Sequence, residues 1–151
     1  MNRRTVEFLP MLSNDPISIQ FRIPASDHLG KNEVEGKVRF LPDSVELDWR
    51  LKGNVFRGGQ LEVETVSLSY GDIEHVELKK RWWKLRSIIL RISDPTLVEQ
   101  IPGVEMGKMG LEIDDRSRDE AKKLESLIDF KRSIFLVDEQ TRRLEAMSNE
   151  I

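Results

Sequence analysis

The chain of 151 residues contains no cysteine. Disulfides, thiolate metal sites and cysteine nucleophiles are therefore excluded together. Histidine is nearly as scarce. His75 lies in a strand-like pattern beside Glu74 and Glu77, and His28 in a turn after Asp27. Neither stands in a spacing that gathers three metal ligands or forms a helical His-carboxylate motif, so a structural or surface role is expected for both. The sequence has no Gly-x-Ser-x-Gly elbow, no glycine loop ending in Lys-Ser/Thr and no dinucleotide fingerprint. The pair Gly58-Gly59 alone carries no such meaning. The carboxylates are scattered. Neither catalysis nor a cofactor or metal is expected. No eighteen apolar residues follow one another, and Met1-Asn2-Arg3-Arg4 is not followed by the apolar run of a signal peptide, so a cytoplasmic location is the default expectation. Charge of one sign is also lacking: Lys and Arg number 24 against 27 Asp and Glu, a net charge of −3. That balance argues against a surface built throughout to neutralise phosphate, so nucleic acid is not the expected partner, and it leaves room for a local basic patch.

Hydrophobic residues at 38% and charged residues at 34% describe an ordinary soluble domain. A chain of this length buries roughly two-thirds of the surface exposed when unfolded, enough for a core without staples. Residues 1–33 read as an N-terminal arm. Its one clear signal is Ile17-Ser18-Ile19-Gln20-Phe21-Arg22-Ile23, alternating and bracketed by Pro16 and Pro24, which predicts a short edge strand. The turn-rich Ser26 to Asn32 stretch links it to the body.

In the body, Val34, Gly36, Val38 and Phe40 form one strand face, and Val45, Leu47, Trp49 and Leu51 another. Leu41-Pro42-Asp43-Ser44 between them turns a hairpin. Gly53, Gly58 and Gly59 loosen the backbone before Leu61 and Val63 resume the alternation, whose phase slips at Thr65 toward Val66, Leu68 and Tyr70; a β-bulge is expected there. Ile73, Val76 and Leu78 begin a strand, and Ile88, Leu90 and Ile92 its antiparallel neighbour. Leu97, Val98 and Ile101 have the spacing of one helical turn, and Met109, Leu111 and Ile113 form a last strand. From Asp114 the period becomes helical. Ser117 and Glu120 stand in capping-box spacing, and Ala121, Leu124, Leu127 and Ile128 make a narrow apolar stripe. The helix has room to run past Phe130, and the last ten or so residues read as a loose tail. Heptad steps from Leu124 land on Lys131 and Asp138, which argues against a regular coiled coil.

The strand with Gly36, its hairpin, the run Val66-Ser67-Leu68-Ser69-Tyr70-Gly71-Asp72-Ile73-Glu74-His75-Val76, a second hairpin and one closing helix together resemble the pleckstrin-homology-like superfamily, with bacterial PH-like and GRAM-like domains the most similar. The resemblance covers about residues 34–130 and leaves 131–151 as a helical extension or tail. It implies a mainly β fold, a partly open barrel of two antiparallel sheets capped by the C-terminal helix, on a scaffold that binds rather than catalyses. Phosphoinositide-binding members line the first hairpin with cations. The matching Lys37, Arg39 and Arg50 stand here among Glu35, Asp43, Glu46 and Asp48, a departure from that pattern.

Two surfaces emerge as candidates. The corner Lys79-Lys80-Arg81-Trp82-Trp83-Lys84-Leu85-Arg86 combines cations and two indoles within one hairpin. It suits an anionic membrane or a protein partner, and its composition would also stack on single-stranded nucleic acid. The reading preferred for the corner by itself is nonetheless a solvated hairpin with one Trp turned inward and the charge partly offset by Asp72, Glu74 and Glu77. The second surface is Ile134, Phe135, Leu136 and Val137, which would pack on the Ile17–Ile23 arm or on another chain. The function expected is a non-catalytic binding or adaptor domain contacting a protein or an anionic membrane. The alternative is a structural domain that dimerises through its terminal segments.

Overall fold

The computed structural model describes residues 16–26, 29, 32–52 and 62–149. Asp27, His28, Gly30 and Lys31 of the linking turn, and Gly53, Gly58, Gly59 and Leu61, lie outside the described residues, as do residues 1–15. Seven strands are present among the described residues: β1 (Ile17–Ile23), β2 (Val34–Phe40), β3 (Val45–Leu51), β4 (Glu64–Leu68), β5 (Ile73–Arg81), β6 (Lys84–Ile92) and β7 (Lys108–Ile113). The short helix α1 (Arg118–Ala121) and the long helix α2 (Leu124–Asn149) follow. The strands form one antiparallel sheet in the order β4-β3-β2-β1-β7-β6-β5.

This order makes two corrections. The Ile17–Ile23 strand is interior, between β2 and β7, rather than an edge strand. Pro16 and Pro24 flank the ladder without occupying a rung, so they remove none of its donors. The sheet is also not closed into a barrel. Its edges are β4 and β5, which are consecutive in the chain but do not pair. Between them the 3-10 turn Tyr70–Asp72 satisfies its polar groups locally. The Asp72 amide donates to the Ser69 carbonyl at 3.0 Å, and the Ser69 amide to the Asp72 carboxylate at 2.8 Å.

Alternation along the strands sets which face is buried. Ile19, Phe21 and Ile23 of β1 join Val34, Val38, Phe40, Val45, Leu47 and Trp49 on one side, and Leu85, Ile88, Leu90, Met109 and Leu111 on the other, in one continuous core. The hairpin of β2 and β3 closes as expected, from Val34↔Leu51 to Phe40↔Val45, with the Leu41 amide donating to the Ser44 carbonyl at 2.8 Å. The expected bulge at Thr65 is absent. β4 runs in regular register against β3, and Val63 before it is exposed, so no phase slip has to be absorbed. The irregularities fall instead in β5, between Ile73 and His75 and between Lys79 and Lys80. The single turn expected near Leu97 is a 3-10 turn, Pro95–Leu97, followed by buried Val98 and Ile101.

The expected capping box does not form. The Ser117 side chain caps no helical amide, and Asp114 instead accepts from the Ser117 amide at 3.0 Å. The Ser117 hydroxyl accepts from the Gln20 amide of β1 at 3.3 Å. Pairing of β1 with β7 covers only Phe21↔Ile113 and Arg22↔Glu112, so Gln20 stands one residue beyond the ladder and finds its acceptor on the chain leaving β7. Nor are residues 142–149 a loose tail, because α2 continues to Asn149.

The helices are fixed to the sheet by apolar burial and by three cations on backbone oxygens. Ala121, Leu124 and Ile128 enter the core. Arg118 Nε donates to the Leu85 carbonyl at 3.1 Å, Lys131 Nζ to Pro42 at 2.9 Å, and Arg132 to Ile73. Because β5 is an edge strand, the Ile73 carbonyl is an acceptor that α2 can reach. The Phe135 ring lies over Gly71, where any Cβ would collide with it. Tyr70, also buried, donates its hydroxyl to the Leu41 carbonyl at 2.5 Å, tying the β4–β5 turn to the β2–β3 turn.

Burial, and secondarily the charge of Asp43, pushes the Tyr70 phenol from 10.0 up to about 12. The folded state therefore prefers the neutral phenol. Its contribution to stability is complete below pH 10 and is lost as pH rises toward 12. Tyr70 is the one tyrosine of the chain, so tyrosinate absorbance reports it alone. A spectrophotometric titration is expected to show a midpoint well above that of free tyrosine, returning to the ordinary value in denaturant. An ordinary midpoint in the folded protein would show that the phenol is not buried.

Candidate functional site at the hairpin tip

The strands β5 and β6 pair from Ile73↔Ile92 through Leu78↔Ile88 to Arg81↔Lys84. This register leaves two residues to reverse the chain, Trp82 and Trp83. A two-residue loop between right-twisted strands adopts the primed turns, and type I′ needs positive φ at both central positions. Both tryptophans have it, at 53° and 64°. Such loops are normally Asn-Gly, because a Cβ in the left-handed region costs roughly 1–2 kcal/mol per residue. Two bulky residues there constitute local strain, of a kind that concentrates at functional sites.

The turn also decides where the indoles go. The expectation that one Trp points inward is corrected: Trp82 is 80% exposed and Trp83 96%. Both sit beyond the last rung, where no inner face remains to receive them. Trp49, by contrast, is in the core.

Around the tip, Lys79, Lys80, Arg81, Lys84 and Arg86 are all exposed. Among the described residues none of them makes an ion pair. Of the acids preceding the corner, Asp72 is engaged by the Ser69 amide. Glu77 lies two residues from Lys79, about 7 Å along the strand and within the Debye length of about 8 Å at physiological ionic strength, so it offsets part of that charge, but it is about 13 Å from Arg81. A concave surface at the base of the tip is lined by Lys79, Arg81, Trp82 and Arg86, with Arg22 and Glu112 at its far side. Arg22 is satisfied there by Glu112 at 2.7 Å and Glu33 at 3.3 Å, and the Glu112 hydrogen bond and charge hold its pKa above the ordinary arginine value. Of the cations lining this surface, those of the hairpin make no ion pair among the described residues.

The first hairpin differs. Arg39 is held by Glu46 at 2.7 Å and Asp48 at 3.2 Å, and Arg50 by Glu35 at 2.5 Å. Lys37 faces Asp48 in the β2–β3 register. An anion arriving there would have to displace carboxylates already in place.

His75 is an exposed residue of β5 opposite Arg91. No group of three His, Asp or Glu side chains among the described residues could hold a metal ion. The apolar cluster near the C-terminus is divided by the helix. Phe135 packs on Gly71, whereas Ile134, Leu136 and Val137 are exposed at 43%, 42% and 59%. The cluster is therefore not a single patch, and the helix that carries it lies against β5 and the Tyr70–Asp72 turn. Comparison with family models, with curated proteins and with solved structures returns no match for this chain.

If the left-handed turn is strained by its side chains, Trp82→Asn with Trp83→Gly relieves the strain. Denaturant unfolding is expected to show the double variant about 1–2 kcal/mol more stable than wild type. A loss of stability would mean that the indoles pack on the body.

Proposed function

We propose that the protein is a non-catalytic PH-like binding module that docks on anionic membrane surfaces through the β5–β6 tip. The observation that carries this reading is the pair of exposed indoles on a strained turn, ringed by cations without ion-pair partners. The succession of seven antiparallel strands and a C-terminal helix supports the PH-like part. So does the thin junction between β1 and β7, with two rungs only, on which β1–β4 and β5–β7 are read as two packed sheets.

Indoles favour the headgroup layer, where an apolar ring and a polar N–H are both accommodated. Each Lys or Arg held near an anionic bilayer contributes about 1 kcal/mol. The tip cations together supply about 4–5 kcal/mol, which corresponds to roughly millimolar affinity before the indoles are added. Such a contact is reversible and salt-sensitive. Among the described residues no helix is long and apolar enough to cross a membrane, so the contact proposed is peripheral. The first hairpin takes no part, because its arginines are engaged by carboxylates.

Vesicle sedimentation tests the reading. The protein is expected to pellet with phosphatidylserine-containing vesicles, to stay in solution with purely zwitterionic ones, and to be released by high salt. Lys80→Glu should weaken binding about tenfold or more, by removing one attraction and adding one repulsion, and Trp82→Ala should weaken it without changing the salt dependence. Equal pelleting of wild type and variants, or none, would end the membrane reading. Tighter binding to a single-stranded oligonucleotide than to vesicles would assign the tip to nucleic acid instead.

A further inference from the structure

The helix α2 spans 26 residues, about 39 Å of rise, and only its first turns contribute to the core. One side, with Leu124, Ile128 and Phe135, lies on the body. A different face, centred more than a third of a turn away, carries Phe130, Ile134, Val137, Thr141 and Leu144, and begins at Leu127, which also packs partly against the core. These positions advance by alternating three and four residues, the seam of a heptad repeat. The heptad steps that land on Lys131 and Asp138 trace the flank of this seam. Phe130, Ile134, Val137 and Leu144 are 62%, 43%, 59% and 66% exposed.

We infer that this seam pairs with the same seam of a second copy of the chain, antiparallel about a twofold axis between residues 135 and 136. The inference is independent of the hairpin tip. In this register Ile134 faces the second copy's Val137, Phe130 its Thr141, and Leu127 its Leu144, and the symmetry repeats each layer. The flanking positions then select the orientation. Lys131 meets the other copy's Asp138, twice by symmetry, and Ser133 meets Gln140, so the register contains no like-charge contact at these positions. A parallel pairing would set Ser133 against Asp138 and Gln140 against Glu145, with no opposite charges to join. Lys131 already donates to the Pro42 carbonyl, but an ammonium has three donors and retains two for the carboxylate.

Light scattering on the full chain over a wide concentration range provides the test. The expected mass is twice 17.6 kDa, falling to the single-chain value in Val137→Asp and in Leu144→Glu. Both sites are exposed in the single chain, so circular dichroism should show these variants folded. Asp138→Lys, which sets two ammonium groups against each other twice by symmetry, is expected to weaken the dimer at least tenfold, and Asp138→Glu to keep it. A monomer at every concentration would overturn the inference, as would a dimer that survives both seam variants. Association unchanged in Asp138→Lys would overturn it as well.

Discussion

The register of the β5–β6 hairpin is the constraint from which the candidate site follows. Leu78, Ile88 and Leu90 must face the core, and burying side chains of this size is worth roughly 1.5–3 kcal/mol each. A slip of one residue would turn that whole set to solvent. The register so imposed leaves only Trp82 and Trp83 for the reversal, and a two-residue reversal demands left-handed backbone. Core packing therefore overrides the local preference of both tryptophans. Their exposure is a consequence of the same packing, because the turn lies past the end of the apolar face.

The two hairpins that present cations are chemically distinct. On the outer face of β2 and β3 the cations alternate with carboxylates across the strands, and both arginines are held in ion pairs. Exposed pairs of this kind add little to stability, and their effect here is to neutralise the face. At the β5–β6 tip no acid stands opposite the cations, so their charge is available to an anionic surface. Overall charge is near balance, and the asymmetry appears only when the strands are placed side by side.

Local features of the fold were legible in the sequence. The alternation from Val34 to Leu51 with a turn at Pro42-Asp43 specifies its own hairpin, because each partner is the nearest segment in the chain. The change of period after Asp114 marks the helices. Legibility failed where the outcome depends on distant partners. The pattern of Ile17 to Ile23 is the same for an edge strand as for an interior one, and only the arrival of β7, some ninety residues later, decides the matter. Ser117 has the spacing of a cap, yet its hydroxyl is drawn to Gln20 across the same distance. At the candidate site the composition was readable and the geometry was not. Two adjacent tryptophans suggest that one serves the core until the register assigns both to the turn. Likewise the α2 seam is hidden while Leu124 is taken as its origin, since Leu124 belongs to the face bound to the body.

Tryptophan emission on addition of vesicles tests the central claim most directly. Trp49 is buried, so a change reports Trp82 and Trp83. Red-shifted emission is expected from the free protein, moving to the blue with anionic vesicles, with no shift in the Trp82→Asn/Trp83→Gly variant. Emission that is already blue in the free protein, or unchanged at lipid concentrations where the protein sediments, would contradict it.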